Sequence, residues 1–216
     1  MQYKMLKRIF DILLSILILF FLSPIISILY VIVKFSSQGP VFYRGERVGF
    51  NGKKFYIYKF RTMVLNSENQ INPITADKDP RIINVGRLLR RWKLDELPNF
   101  LNVLMGDMSL VGPRPESPDL VKLYSPKQRQ VLSVHPGIAC LAQIRYPNEQ
   151  SIFPGKYIDE EIYLKHMDEK LILDLLYVQT ASFFGDILIL ICTFLSLCGI
   201  QIDLEAFFIN HMRNKI

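Results

Sequence analysis

Only three cysteines, three histidines and one tryptophan occur in 216 residues. Cys140, Cys192 and Cys198 have neither the close pairing of a metal knuckle nor the density of a disulfide scaffold. They are read as reduced thiols, buried or facing a membrane. His135, His166 and His211 lie far apart with no ligand spacing, so no histidine metal site is expected. The chain has no internal repeat and no low-complexity linker, which argues against solenoids and strings of domains. Acids are outnumbered, 20 against 26 Lys and Arg, for a net charge of +6. That balance calls for an anionic partner: nucleic acid, an anionic membrane face or a phosphorylated substrate. No helix-turn-helix or RNA-binding signature accompanies the charge, and the cations stand beside acids, so nucleic acid is not expected.

Half the residues are hydrophobic and mean hydropathy is positive, although 21% are charged. The apolar excess must therefore be concentrated. It lies in Ile12 to Val33, interrupted only by Ser15, Ser23, Pro24, Ser27 and Tyr30. About 22 helical residues can cross a hydrocarbon core of roughly 30 Å. The run is too long for a signal-peptide core and no small-residue cleavage site follows, so it is expected to stay and to hold the protein at a membrane. Lys4, Lys7 and Arg8 precede it, and Lys34, Arg44, Arg47, Lys53 and Lys54 follow. Positive charge on both flanks obeys the positive-inside rule only if both ends are cytoplasmic. Proline at the midpoint removes a backbone hydrogen bond and kinks a helix. Two readings remain at this point: a re-entrant helix-hairpin broken at Ser23-Pro24, or a kinked spanning helix.

Beyond the anchor, Val41–Tyr43 and Lys54–Phe60 flank Asn51-Gly52, a two-residue hairpin signal. Residues 66–80 are polar with two prolines and read as a loop. Arg81–Lys93 has helical periodicity. Asp95 is placed to cap a helix running to Leu104, stopped by Gly106, with Pro98 in its first turn. Gly112–Pro118 is irregular, Leu120–Val134 reads as a helix ended by Pro136-Gly137, and Asp159–Gln179 as a long amphipathic helix. Ile187–Leu197 is apolar but too short to span, hence core or a helix lying in the interface. The expected fold class is α+β, mostly helical, with the membrane hairpin, a small β-hairpin and interfacial amphipathic helices. The expected division is an anchor over 1–36, a catalytic domain over 37–200 and a C-terminal tail over 201–216.

Four constellations could carry chemistry. Lys59 and Arg61 share one face of a strand, which aims two cations together as a phosphate requires, or else forms a solvated strand face. Asp95-Glu96 lies between the cations Arg87, Arg90, Arg91 and Lys93 and an apolar run. A plain N-cap explains the pair. So does a carboxylate that attacks phosphorus, with its neighbour holding Mg2+ and the cations neutralising the phosphoryl oxygens. In Pro113-Arg114-Pro115, two fixed φ angles restrain the arginine's base, giving a preorganised cation or simply a turn with a surface arginine. The stretch 136–146 reads as a buried strand or turn delivering an exposed Arg145, and its own physics assigns no role.

Lys7-Arg8 with Asp11, Ser23-Pro24, Lys59-Phe60-Arg61-Thr62-Met63, Leu94-Asp95-Glu96-Leu97-Pro98, Gly106-Asp107-Met108-Ser109 and Gly112-Pro113-Arg114-Pro115 occur in this order. Together, from about residue 5 to residue 197, they resemble the bacterial sugar transferase family, the monotopic phosphoglycosyl transferases. The chain looks like the minimal catalytic form, without the larger relatives' extra N-terminal membrane helices.

The resemblance implies Asp95 as nucleophile and Glu96 as support for Mg2+, with both carboxylates candidates for the metal. It links Arg114 to nucleotide-sugar binding, with Lys59, Arg61 and Arg145 as the other substrate-binding candidates. It makes Ser23-Pro24 the helix break of a re-entrant anchor. The implied substrates are a UDP-sugar and a polyprenyl (undecaprenyl) phosphate, with UMP released at the first membrane step of a bacterial surface glycan. The implied setting is the cytoplasmic face of the inner membrane, in contact with membrane lipids, and a homodimer stays open. Many relatives carry Pro-Gly-Ile-Thr-Gly and an Asn-Gly-Arg-type loop where this chain has Ala139-Cys140 and Tyr146-Pro147-Asn148. That departure bears on which sugar is accepted rather than on the reaction.

Overall fold

A computed structural model describes residues 2–64, 79–147, 149–153, 160–200, 202–204 and 206–209. In chain order the elements are α1 (Gln2–Ser36), β1 (Phe42–Val48), β2 (Lys54–Phe60), α2 (Asn84–Arg91), α3 (Asn99–Met105), β3 (Ser109–Val111), α4 (Pro118–Lys122), β4 (Gly137–Ala139), α5 (Leu141–Arg145), α6 (Glu160–Thr180) and α7 (Phe183–Leu197). The fold is mostly helical with little sheet, and most of the loop expected over 66–80 falls outside the described residues.

α1 is inside-out for a water-soluble helix. Its buried residues include the polar Asp11 and Ser15, while Leu13, Ile16, Leu17, Phe20, Phe21, Ile25 and Ile28 are exposed. Apolar surface of that extent requires lipid or a partner to cover it. The helix continues through Ser23-Pro24 as one element. Pro24 cannot donate to Phe20 O, and Ser23 Oγ donates there instead at 2.8 Å, while Ser27 Oγ donates to Ser23 O at 2.9 Å. The serines thus satisfy carbonyls that no water would reach in a bilayer.

β1 and β2 form the expected hairpin, antiparallel from Phe42↔Phe60 to Val48↔Lys54. Five residues, 49–53, connect the strands rather than two; Asn51 and Gly52 take the positive φ angles of the turn, 54° and 78°. α3 is stitched to β2 through Asn102, which is fully buried. Its Oδ1 accepts from Tyr58 N at 3.1 Å and its Nδ2 donates to Tyr56 O at 2.7 Å.

β3 and β4 make a short parallel pair, Ser109↔Gly137 and Val111↔Ala139. A Cβ on Gly137 would collide with the backbone nitrogen of Gly112, so glycine is obligatory there. The helix expected over 120–134 is instead α4, a break, and a 3₁₀ turn over Gln128–Ser133. Pro126 disfavours helical geometry at Ser125 and divides the segment.

The main core joins β2, α3, β3, β4, α5, α6 and α7 around Phe55, Val103, Leu110, Leu141, Leu176 and Ile189. Leu204 and Phe208, among the described residues of the stretch 201–216, are buried in it. α7 packs one face in the core and leaves another bare: Ile189 and Cys192 are buried, Ile191 and Phe194 exposed. A separate cluster of Leu29, Val33, Phe60, Leu89 and Leu97 seats the end of α1 against β2 and α2.

Candidate active site

The site forms where α2 ends. Lys93 adopts the left-handed conformation (φ 54°, ψ 19°), uncommon for a residue with a side chain, and turns the chain into a single 3₁₀ turn, Leu94–Glu96. Asp95 and Glu96 are both buried on this turn. Asp95 is not a helix cap: α3 begins at Asn99, and the residue at its N-cap is Pro98. The plain capping explanation for the pair is thereby removed.

Glu96 is a fixed anion. Its Oε1 accepts from Lys59 Nζ at 2.6 Å and from Arg114 Nη2 at 2.9 Å. Burial alone would raise its pKa, but Arg114, Lys59 and Lys93 outweigh burial and hold it well below the usual carboxylate range. Asp95 is the opposite case. Its Oδ1 is buried with no hydrogen-bond partner, and burial together with the charge on Glu96 pushes its pKa up against the pull of Lys59, Arg90 and Lys93. A more basic carboxylate with a free oxygen is the better nucleophile of the two.

Four cations therefore enclose two carboxylates. Lys59 comes from the end of β2, Arg90 and Lys93 from the end of α2, and Arg114 from the loop after β3. Arg90 is steadied by donating from Nε to Thr62 Oγ1 at 2.8 Å. Gln143, with its amide oriented to satisfy both ends, accepts from Arg114 and donates to Ile138 O at 2.9 Å.

Of the residues singled out in the sequence, Lys59, Asp95, Glu96 and Arg114 meet in this cluster. Arg61 does not join Lys59. The chain leaves the strand at Phe60, and the buried Arg61 guanidinium donates to Ser37 O at 2.7 Å, Ser37 Oγ at 2.9 Å, Val33 O at 3.4 Å and Pro40 O. It satisfies carbonyls at the end of α1, away from the carboxylate pair. Arg145 ends α5 exposed, beside the phenol of Tyr146, and makes no hydrogen bond or ion pair with the dyad. Ser23 and Pro24 lie in the exposed middle of α1.

Sequence reasoning treated Arg90 only as part of a cationic helix end and missed Gln143 and Asp174. Asp174, buried on α6, faces the backbone N–H of Arg114, and burial raises its pKa to about 7. The available signal was the four-residue spacing of His166, Lys170 and Asp174, which sets three polar groups on one helix face.

The fold and site define a transferase-like body with a free carboxylate among four cations, tied to a helix long and apolar enough to cross a membrane. The chain belongs to the bacterial sugar transferase family, whose model matches residues 2–199. It is 36% identical over 197 residues to the UDP-glucose:undecaprenyl-phosphate glucose-1-phosphate transferase of Escherichia coli (strain K12), covering 88% of this chain and 39% of that protein. It is 36% identical over 194 residues to the UDP-N-acetylgalactosamine-undecaprenyl-phosphate N-acetylgalactosaminephosphotransferase of Aeromonas hydrophila, covering 88% and 43%. It is 39% identical over 188 residues to the sugar transferase EpsL of Bacillus subtilis (strain 168), covering 87% and 85%. The chain thus spans well under half of some curated relatives it matches and most of others.

Proposed function

We propose that this chain transfers a sugar-1-phosphate from a UDP-sugar to a polyprenyl phosphate through a covalent intermediate on Asp95. Asp95 Oδ attacks the phosphorus bearing the sugar, the bond to the bridging oxygen breaks, and UMP leaves with that oxygen. A phosphate oxygen of the polyprenyl phosphate then attacks the same phosphorus, releases the Asp95 carboxylate and yields a polyprenyl diphosphate sugar. The observation that carries this reading is the unpartnered buried oxygen of Asp95 inside a ring of Lys59, Arg90, Lys93 and Arg114. Glu96, held ionised, orients Lys59 and Arg114 toward the diphosphate.

The donor set suits Mg2+: hard carboxylate oxygens, with one of them free, and a diphosphate to supply further ligands. Asp95 and Glu96 would hold the ion, Glu96 through the oxygen that Lys59 and Arg114 leave open. Bound there, it would neutralise charge on the phosphoryl oxygens.

The chain would act at the cytoplasmic face of the inner membrane with α1 re-entrant. Both flanks of α1 support this by touching one body. Arg8 Nη1 donates to Val103 O at 2.7 Å, and Val33 clusters with Leu97, six residues earlier. In a straight helix Arg8 and Val33 would stand about 37 Å apart. Leu88 and Trp92 at the end of α2, Leu101 and Met105 on α3, and Phe194 on α7 are exposed and would rest at the interface.

Donor labelled with 32P in the sugar-linked phosphate tests the chemistry. In the absence of acceptor, label should remain on the denatured protein and be absent in Asp95→Asn, which should also lose turnover. Product forming from a wild type that never carries label would exclude the intermediate. Chelation with EDTA should stop UMP release and Mg2+ should restore it; full turnover in chelator would remove the metal.

A further inference from the structure

In Pro113-Arg114-Pro115, the only backbone N–H is that of Arg114, because proline has none. That N–H faces Asp174, a residue 4% exposed whose Oδ1 is buried without a hydrogen-bond partner. One turn earlier on α6, Lys170 Nζ reaches Glu116 Oε1 at 3.3 Å and Glu149 Oε1 at 2.7 Å. One turn later, Tyr177 Oη lies 3.2 Å from Val111 O. Successive turns of α6 thus grip residues 116, 114 and 111, the loop that presents Arg114 to Glu96. None of these α6 side chains contacts the dyad, so their effect on chemistry passes through the loop.

We propose that Asp174 and Lys170 are positioning residues for the donor, holding the backbone of residues 113–116 so that Arg114 is preset for the donor's diphosphate. This rests on the transferase reading above. A cation whose backbone is fixed before binding loses little freedom on meeting its ligand, whereas a loosened loop must be ordered by the donor itself. The consequence is specific. Loosening the loop weakens use of the nucleotide donor and leaves the lipid acceptor's binding intact.

The test is steady-state UMP release by the full chain in detergent, with UDP-sugar varied at saturating polyprenyl phosphate and the reverse. Asp174→Leu removes the buried carboxylate that faces the Arg114 N–H, and Lys170→Met removes the cation. Each should raise the donor KM roughly tenfold or more, the range expected when a buried hydrogen-bonding partner is lost, and keep the acceptor KM within about twofold. Asp174→Asn keeps a carbonyl oxygen and Lys170→Arg keeps a cation, so both should stay within about threefold of wild type. Should the apolar variants fail to fold, Glu116→Gln, which weakens only the half-buried outer contact of Lys170, decides the matter by a rise in donor KM alone. An unchanged donor KM in folded variants, or an equal rise in both KM values, overturns the positioning role while the transferase reading survives. A wild type that releases no UMP from any UDP-sugar brings down both.

Discussion

Asp95 and Glu96 sit side by side on one turn, yet the two carboxylates face different surroundings. Glu96 spends an oxygen on two cations and stays ionised, while Asp95 keeps an oxygen free and is raised by burial. Adjacent acids beside a basic helix end announce the pair in the sequence, but the division of labour needs the partners that β2 and the loop after β3 bring. Lys59 and Arg61 make the same point. Their spacing places them together only while the strand lasts, and it ends at Phe60. Carbonyls at the end of α1 then claim Arg61.

Asp174 offers a residue-scale prediction with a definite sign. Its pKa is near the ordinary 3.9 in the unfolded chain and is pushed to about 7 in the fold by burial, with Glu116 also raising it and Lys170 and Arg114 opposing. The folded state therefore binds the proton more tightly, and stability present below pH 4 is lost as pH rises through 7. Asp174→Asn escapes that loss. Its Tm advantage over wild type should grow between pH 5 and pH 8, by several degrees if the penalty is on the order of a few kcal/mol. Thermal unfolding at the two pH values reads it directly, and a gap that shrinks with pH would contradict the assignment.

At the scale of elements, the hairpin, the long helix α6 and the apolar α1 were legible because each carries a signal longer than a turn: alternation around Asn51-Gly52, 21 residues without proline or glycine over Glu160–Thr180, though with little of the amphipathic character expected, and a long apolar run. The parallel pair of β3 and β4 was not legible. Three residues per strand carry no period, and pairing across 28 positions depends on Gly137 passing close to Gly112. Nor does any local pattern disclose that Asn102 stands in for a strand, pairing with both Tyr56 and Tyr58. Asn102→Ala should leave Tyr58 N–H buried without a partner and cost about 2–4 kcal/mol from two lost bonds. Denaturant unfolding would measure it. Because α3 follows the dyad directly, the loosened joint should also lower turnover at temperatures where the variant remains folded.

At the scale of the molecule, the N-terminal part of α1 is bound to the body by charge and its C-terminal part by packing. Lys7 Nζ pairs with Asp186 Oδ2 at 2.8 Å and donates to Val111 O at 2.9 Å, and Asp11 Oδ2 accepts from Ser109 Oγ at 2.7 Å. Leu29 and Val33 pack beside Phe60 and Leu89. Between these ends lies an apolar stretch with no protein over most of it, only 11% of the most apolar window being buried. On the proposed re-entrant reading, a helix fixed at both ends to one body and bare in the middle would dip into a membrane and return, keeping that body on one side. A spanning helix would have to tear one set of contacts away, exposing either the Lys7–Asp186 pair or the Val33 cluster to the far face. The flanking cations add to this, since each near an anionic leaflet contributes about 1 kcal/mol of attraction.

The two topologies separate cleanly by thiol accessibility. With Cys198 replaced by serine, leaving Cys140 and Cys192 buried, a single cysteine placed at residue 2 or residue 38 should resist a membrane-impermeant maleimide in intact cells. Both should react once the cells are opened. Labelling of either one from outside, with the other protected, would establish a spanning helix, and the site would then need another explanation for how both flanks of α1 reach the same few residues around α3.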